Sequence, residues 1–135
     1  LKSFRNKMQV IGNGVDIVDN LRIKKAIVNN SFIQKIYSNL EIKYSKKIKN
    51  KANFFAKRFA AKEAFVKALG TGFRDGIKFK DITIKNNDFG KPEVKLSNNI
   101  KLKIKKKFNL KKFNIFLSLS DEKKYSIAFV IIEKK

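Results

Sequence analysis

Two carboxylates stand where carboxylates are costly. Asp16 lies inside the apolar run 10–18, and Glu63 lies inside the helix-forming stretch 54–69. The chain has only 11 acidic residues against 33 basic ones, and most of the acids fall in turn-like or terminal segments. A carboxylate buried without a partner is strongly destabilising, so two inside apolar elements call for a shared counter-charge. A divalent cation fits that requirement. Two carboxylates with retained waters are the ligand set magnesium takes when it also binds substrate phosphates. Its chemistry at a pyrophosphate is to neutralise charge and polarise an attacking hydroxyl.

Each acid also has a plainer explanation. Asp16 is a possible helix-entry cap, but Asp19 and Asn20 serve that role better. Glu63 shares a helical stripe with Phe59 and Lys67, one turn to either side, and a surface Glu–Lys pair is worth a few tenths of a kcal/mol. Phe59 draws that stripe toward the core, which weighs against the surface pair without removing it; the functional reading makes Glu63 a metal ligand or base and Lys67 a phosphate contact. Ala56 and Ala60 flank the stripe and would let a neighbouring strand come close to the helix axis. The Gly12-Asn13-Gly14 step lacks the third glycine of a dinucleotide loop, since Ile17 stands there. Its glycines are better read as room for another segment to pack beside Asp16. The chain contains no Cys and no His. Disulfides, thiol nucleophiles, Cys/His zinc sites and imidazole bases are therefore excluded, and acid–base work falls to carboxylates, lysines or metal-bound water.

The elements that must position these residues follow from periodicity and punctuation. Residues 10–18 read as a buried strand. Asp19 or Asn20 caps a helix to about Val28, and Ser31 with Gln34 fits a capping box opening a short helix over 32–37. The longest helix is expected from after Ser45 to Leu69, stopped by Gly70-Thr71-Gly72. A strand follows around Phe79, Ile82 and Ile84, then a turn over 86–90 and a strand from Pro92 to Leu96. Ser97 caps a basic helix to about Phe108, and 113–119 with 125–132 reads as a hairpin. The expected fold is α+β: a single compact domain with an antiparallel sheet packed on a long helix, in residues 10–135 after an N-terminal extension of residues 1–9. Leu1 is not an initiator, and Met8 directly precedes the first strand, where a biological start is expected.

A chain of 135 residues with 43% hydrophobic content and 13 Phe can bury a real core. No apolar run reaches the roughly 18–20 residues of a membrane span, and no secretory pattern opens the chain, so no membrane association and a cytoplasmic location are expected. The formal charge of +22 points first to nucleic acid. However, 29 of the 33 basic residues are Lys and four are Arg, whereas base and phosphate readers favour the guanidinium. Abundant Lys, Asn and Ile together read as compositional drift on solvated faces. A basic nucleic-acid-binding module, with Phe side chains as stacking platforms, is the alternative function.

The segment Gly12-x-Gly-Val-Asp16-Ile17, followed by Arg58-Phe59-Ala60-Ala61-Lys62-Glu63-Ala64-Phe65-x-Lys67-Ala68-x-Gly70-x-Gly72, resembles the 4′-phosphopantetheinyl transferases, specifically the small bacterial holo-acyl-carrier-protein synthase type. The Ile82-Thr83-Ile84 strand, the Gly90-Lys91-Pro92 turn and the closing hairpin follow in the family's order, so the resemblance spans nearly the whole chain. It implies transfer of 4′-phosphopantetheine from coenzyme A to a serine of apo-acyl carrier protein, supporting fatty acid biosynthesis and releasing adenosine 3′,5′-bisphosphate. It also implies that Asp16 and Glu63 hold Mg2+ at the pyrophosphate and that Lys67 contacts that phosphate. Arg58, Gly70, Gly72, Lys91 and Pro92 fall where the family binds the nucleotide end. The helix carrying Arg22 and Lys25 resembles the one that docks the acidic carrier protein, and a homotrimer with sites between subunits is expected. One departure is Asp121, where many relatives carry His after the hairpin serine, which puts any imidazole contact to the nucleotide in doubt. The Lys-rich segment 101–112 is a second departure, read as a solvated helix.

Overall fold

The computed structural model describes residues 9–135. The expected N-terminal extension lies outside the described residues except for Gln9, which already belongs to the first strand. In chain order the elements are β1 (Gln9–Asp19), α1 (Asn20–Ala26), α2 (Asn30–Ile36), α3 (Asn39–Ser45), α4 (Lys51–Leu69), a 3₁₀ turn (Phe79–Asp81), β2 (Ile82–Asn86), β3 (Pro92–Leu96), α5 (Asn98–Lys107), β4 (Phe113–Asp121) and β5 (Tyr125–Lys134). Strands β1, β5 and β4 form an antiparallel sheet in that order, and β2 pairs with β3 in a separate hairpin. The α+β expectation of an antiparallel sheet on a long helix is met.

Helix α4 is the centre of the molecule. Phe54, Phe55, Ala56, Phe59, Ala60, Ala61, Ala64, Phe65, Val66, Ala68 and Leu69 are all buried, so the helix is covered nearly all round. One side lies on the sheet, against Val18, Leu117, Ala128, Val130 and Ile132; the remainder is enclosed by the shorter helices and the β2–β3 hairpin. Gly70 ends the helix in the left-handed region at φ 75°. The amides of Thr71 and Gly72 then fold back onto the Val66 carbonyl, as a glycine stop requires.

Local expectations differ from the structure at four places. The long helix starts at Lys51, because the Asn50 side chain accepts from the Asn53 amide and fixes the N-terminus there. Residues 46–50, expected at its start, are turn and loop instead, and before them stands a short helix the sequence reading did not expect, α3, whose Ser38 and Glu41 form a capping box. Helix α2 is capped by Asn29, which accepts from both the amide and the hydroxyl of Ser31, so the Ser31–Gln34 box does not form. Phe79 sits in a 3₁₀ turn, and its ring stacks on Phe73 with centroids 3.7 Å apart. By contrast, Asp19 caps α1 and Ser97 caps α5 as expected, although α1 stops at Ala26.

Candidate active site

The inner face of β1 reads Gly12, Gly14, Asp16, Val18, the period-2 alternation of a strand. A side-chain carbon at Gly12 would overlap the Ala68 carbonyl oxygen, and one at Gly14 would overlap that of Ala64. The strand therefore lies directly on the backbone of α4, at Ala64 and Ala68 and not at the expected Ala56 and Ala60. Two residues past Gly14 on the same face, Asp16 meets the next side chains of the helix. The Lys67 ammonium donates to Asp16 Oδ1 at 3.0 Å and to the Val15 carbonyl at 3.1 Å.

Glu63 is half-buried one turn before Lys67. Burial raises its carboxyl above the ordinary Glu range, and the neighbouring Asp16 charge raises it further, while Lys67 and Arg22 pull it down. Arg22 reaches this cluster from α1, its guanidinium 5.8 Å from the centre of the Phe59 ring. Asp16, Glu63, Lys67 and Arg22 thus share one electrostatic neighbourhood, in which the Asp16 charge opposes the ionisation of Glu63. A divalent cation relieves that repulsion. Among the described residues no group of three or more His, Cys, Asp or Glu side chains gathers to hold a metal. A cation between Asp16 and Glu63 would thus take its other ligands from substrate oxygens and water. The donor set fits magnesium and does not fit a closed structural metal site.

The other expected site residues extend away from this cluster to different degrees. Arg58 points away from β1 and is buried, its guanidinium 3.7 Å over the Phe54 ring and its Nε without a protein partner. It lines a small cavity of about 100 Å³ with Tyr44, Lys85 and Asn86, at the base of the turn that carries Gly90, Lys91 and Pro92. Lys91 and Pro92 open a basic cleft of about 490 Å³ between β3 and β4, which Lys101, Lys105 and Lys112 also line. Gly70 and Gly72 close α4 beyond Lys67, both at positive φ. Arg22 and Lys25 are exposed on α1, one turn apart. Asp121 accepts from Asn53 Nδ2 at 2.8 Å and pairs with Lys57 at 3.4 Å, which ties the end of β4 to the first half of α4.

A further feature lies behind the site. Lys62 and Glu41 form an ion pair at 2.6 Å with both side chains fully buried. Sequence reading treats Lys as a surface residue and misses it. The one available signal is Ser38-x-x-Glu41, a capping-box pattern that places Glu41 at a helix start.

The sequence model of the 4′-phosphopantetheinyl transferase superfamily matches residues 12–130. This chain belongs to that superfamily. The holo-[acyl-carrier-protein] synthase of Pelagibacter ubique is 55% identical over 128 residues, which cover 95% of this chain and 100% of that protein. Among solved structures, the holo-[acyl-carrier-protein] synthase of Neisseria meningitidis superposes with a TM-score of 0.84 at 35% identity, covering 93% of this chain and 100% of that one. The Bacillus anthracis synthase, solved in complex with CoA (3′,5′-ADP), gives a TM-score of 0.79 at 33% identity, covering 96% of this chain and 100% of that one. Membership of the superfamily favours the transferase reading over the nucleic-acid-binding alternative.

Proposed function

We propose that this chain moves 4′-phosphopantetheine from coenzyme A to a serine hydroxyl of apo-acyl carrier protein, releasing adenosine 3′,5′-bisphosphate. The observation that carries this reading is the Asp16–Glu63–Lys67 cluster where β1 crosses α4. Asp16 and Glu63 would hold Mg2+, which when bound neutralises the pyrophosphate and fixes it for in-line attack. Lys67 turns its ammonium from Asp16 to a phosphate oxygen and stabilises the negative charge on the departing bisphosphate. Glu63 accepts the proton of the serine hydroxyl as the new P–O bond forms and the old one breaks. Such a displacement needs positioning and charge neutralisation more than covalent help, which suits a chain with no His and no Cys.

Arg58, Gly70, Gly72, Lys91 and Pro92 are assigned to the nucleotide end of coenzyme A. Arg58 lines one cavity and Lys91 and Pro92 another, neither lined by Asp16 or Glu63, and neighbouring subunits that complete one another's sites in a homotrimer would bring the two ends together. The sheet face turned away from α4 supports that assembly: Val15, Ile17, Phe116, Ile127 and Phe129 are each at least 40% exposed on it. Arg22 and Lys25 present the docking surface for the acidic carrier protein. Residues 10–135 form the transferase domain, working in the cytoplasm on soluble partners.

The test is mass spectrometry of apo-acyl carrier protein incubated with this protein, coenzyme A and magnesium. The carrier gains the mass of one phosphopantetheine; an unchanged carrier mass defeats the proposal.

A further inference from the structure

We propose that Lys62 and Glu41, which have no part in the chemistry above, are a positioning pair that sets the rotation of α4 and so aims Glu63 at Asp16; the inference rests on Glu63 acting as described. The Lys62 ammonium has an acceptor for each of its three protons: Glu41 Oε1 at 2.6 Å, the Ile36 carbonyl at 2.9 Å and the Phe79 carbonyl at 3.0 Å. Glu41 is equally tied, with Oε1 accepting from the Ser38 amide at 2.8 Å and Oε2 from the Ile84 amide at 3.0 Å. One side chain of α4 is thus anchored to the end of α2, to α3, to the 3₁₀ turn and, through Glu41, to β2.

On the sheet side the ties of α4 are made by exposed or half-exposed side chains: Lys67 reaches Asp16 and the Val15 carbonyl, and Asn53 and Lys57 reach Asp121. Gly12 and Gly14 set how near β1 comes, but with no side chains they present nothing for a turning helix to catch on. The Phe and Ala contacts around the rest of the helix are non-directional. Hydrogen bonds are directional, and the four-way clamp on Lys62 is the main directional tie from the buried side of the helix. Lys62 and Glu63 are consecutive, about 100° apart around the axis, so fixing one fixes the bearing of the other. At a side-chain radius of about 6 Å, a rotation of about 10° sweeps the Glu63 carboxylate by about 1 Å. A misplacement of about 1 Å costs up to about 10²-fold in rate. Stability alone does not call for ions here, since apolar residues of similar volume serve a core at least as well.

The experiment compares Lys62→Gln, Glu41→Gln and the paired Glu41→Leu/Lys62→Met protein with Ile104→Ala, a core truncation in α5. Melting temperature, kcat, and KM for coenzyme A are measured well below every melting point. The positioning role predicts that kcat falls about 10- to 100-fold in the pair variants with KM within about threefold. Ile104→Ala melts lower too, yet keeps wild-type kcat. A pair variant that is folded and within about twofold of wild-type kcat overturns the inference. If the Lys62 variants do not fold, Glu41→Gln, which keeps an oxygen acceptor for the ammonium, decides by the same criterion. Failure of the wild type itself to modify the carrier would count against the proposed function, not against this pair.

Discussion

Replacing Gly14 by Ala tests whether the seat of β1 on α4 builds the site. The added carbon would overlap the Ala64 carbonyl oxygen and stand 2.7 Å from the Ala68 amide nitrogen, where ordinary contacts begin at 3.4 Å. Neither obstacle is the tip of a flexible side chain; both belong to the backbone of a helix buried nearly all round. The strand must therefore retreat by more than the ~0.7 Å that would clear the Ala68 nitrogen alone, because the Ala64 oxygen stands closer still. Asp16 is two residues further along the same strand face and moves with it. Overpacking of this kind costs about 1–3 kcal/mol, several degrees in melting temperature for a domain of this size. Displacing the Asp16 carboxylate by about an ångström is expected to lower kcat by about 10- to 100-fold. Thermal melts and single-turnover carrier modification at saturating magnesium read the two effects separately. A Gly14→Ala protein with wild-type melting temperature and wild-type turnover would refute the packing argument.

Two further outcomes follow from the electrostatics. Glu63→Gln should lower turnover by about 10²–10⁴-fold with the fold intact. It should also melt above the wild type near neutral pH, because a carboxyl whose folded pKa is raised destabilises the fold once ionised. That advantage is absent well below the ordinary Glu pKa, where both proteins carry neutral groups, and grows as pH rises through the folded pKa; partial solvation keeps it to about 1–3 °C. Equal melting curves across that pH range would contradict the assigned environment. Raising salt should slow association with the acidic carrier far more than it slows single-turnover chemistry, and Arg22→Ala should flatten that salt dependence. Salt-independent association measured by stopped flow would remove α1 from the docking surface.

Much of this arrangement was legible in the sequence because it depends on short periods. Gly12, Gly14 and Asp16 fall on one strand face whatever the rest of the chain does, and Gly70 marks the end of α4 by its backbone requirement alone. The start of α4 was less legible: residues 46–50 are Lys-rich with no strong helix stop, and only the hydrogen bond from the Asn53 amide to Asn50 shows where the helix begins. Periodicity cannot assign faces to a helix that is covered on nearly all sides, so contact at Ala64 and Ala68, not Ala56 and Ala60, required the packed structure. The burial of Lys62 and Arg58 was hidden for a related reason. A long cationic side chain is normally solvated, and what reverses this for Lys62 is a set of acceptors from residues 36, 41 and 79, distant in sequence.

The claim that Asp16 and Glu63 together hold the cation is tested most directly by divalent-ion titration calorimetry in the presence of coenzyme A. The wild type should bind one magnesium per chain, and the Asp16→Asn/Glu63→Gln protein, folded by circular dichroism, should show no such binding. Magnesium binding of wild-type stoichiometry and affinity in that double variant would contradict the account.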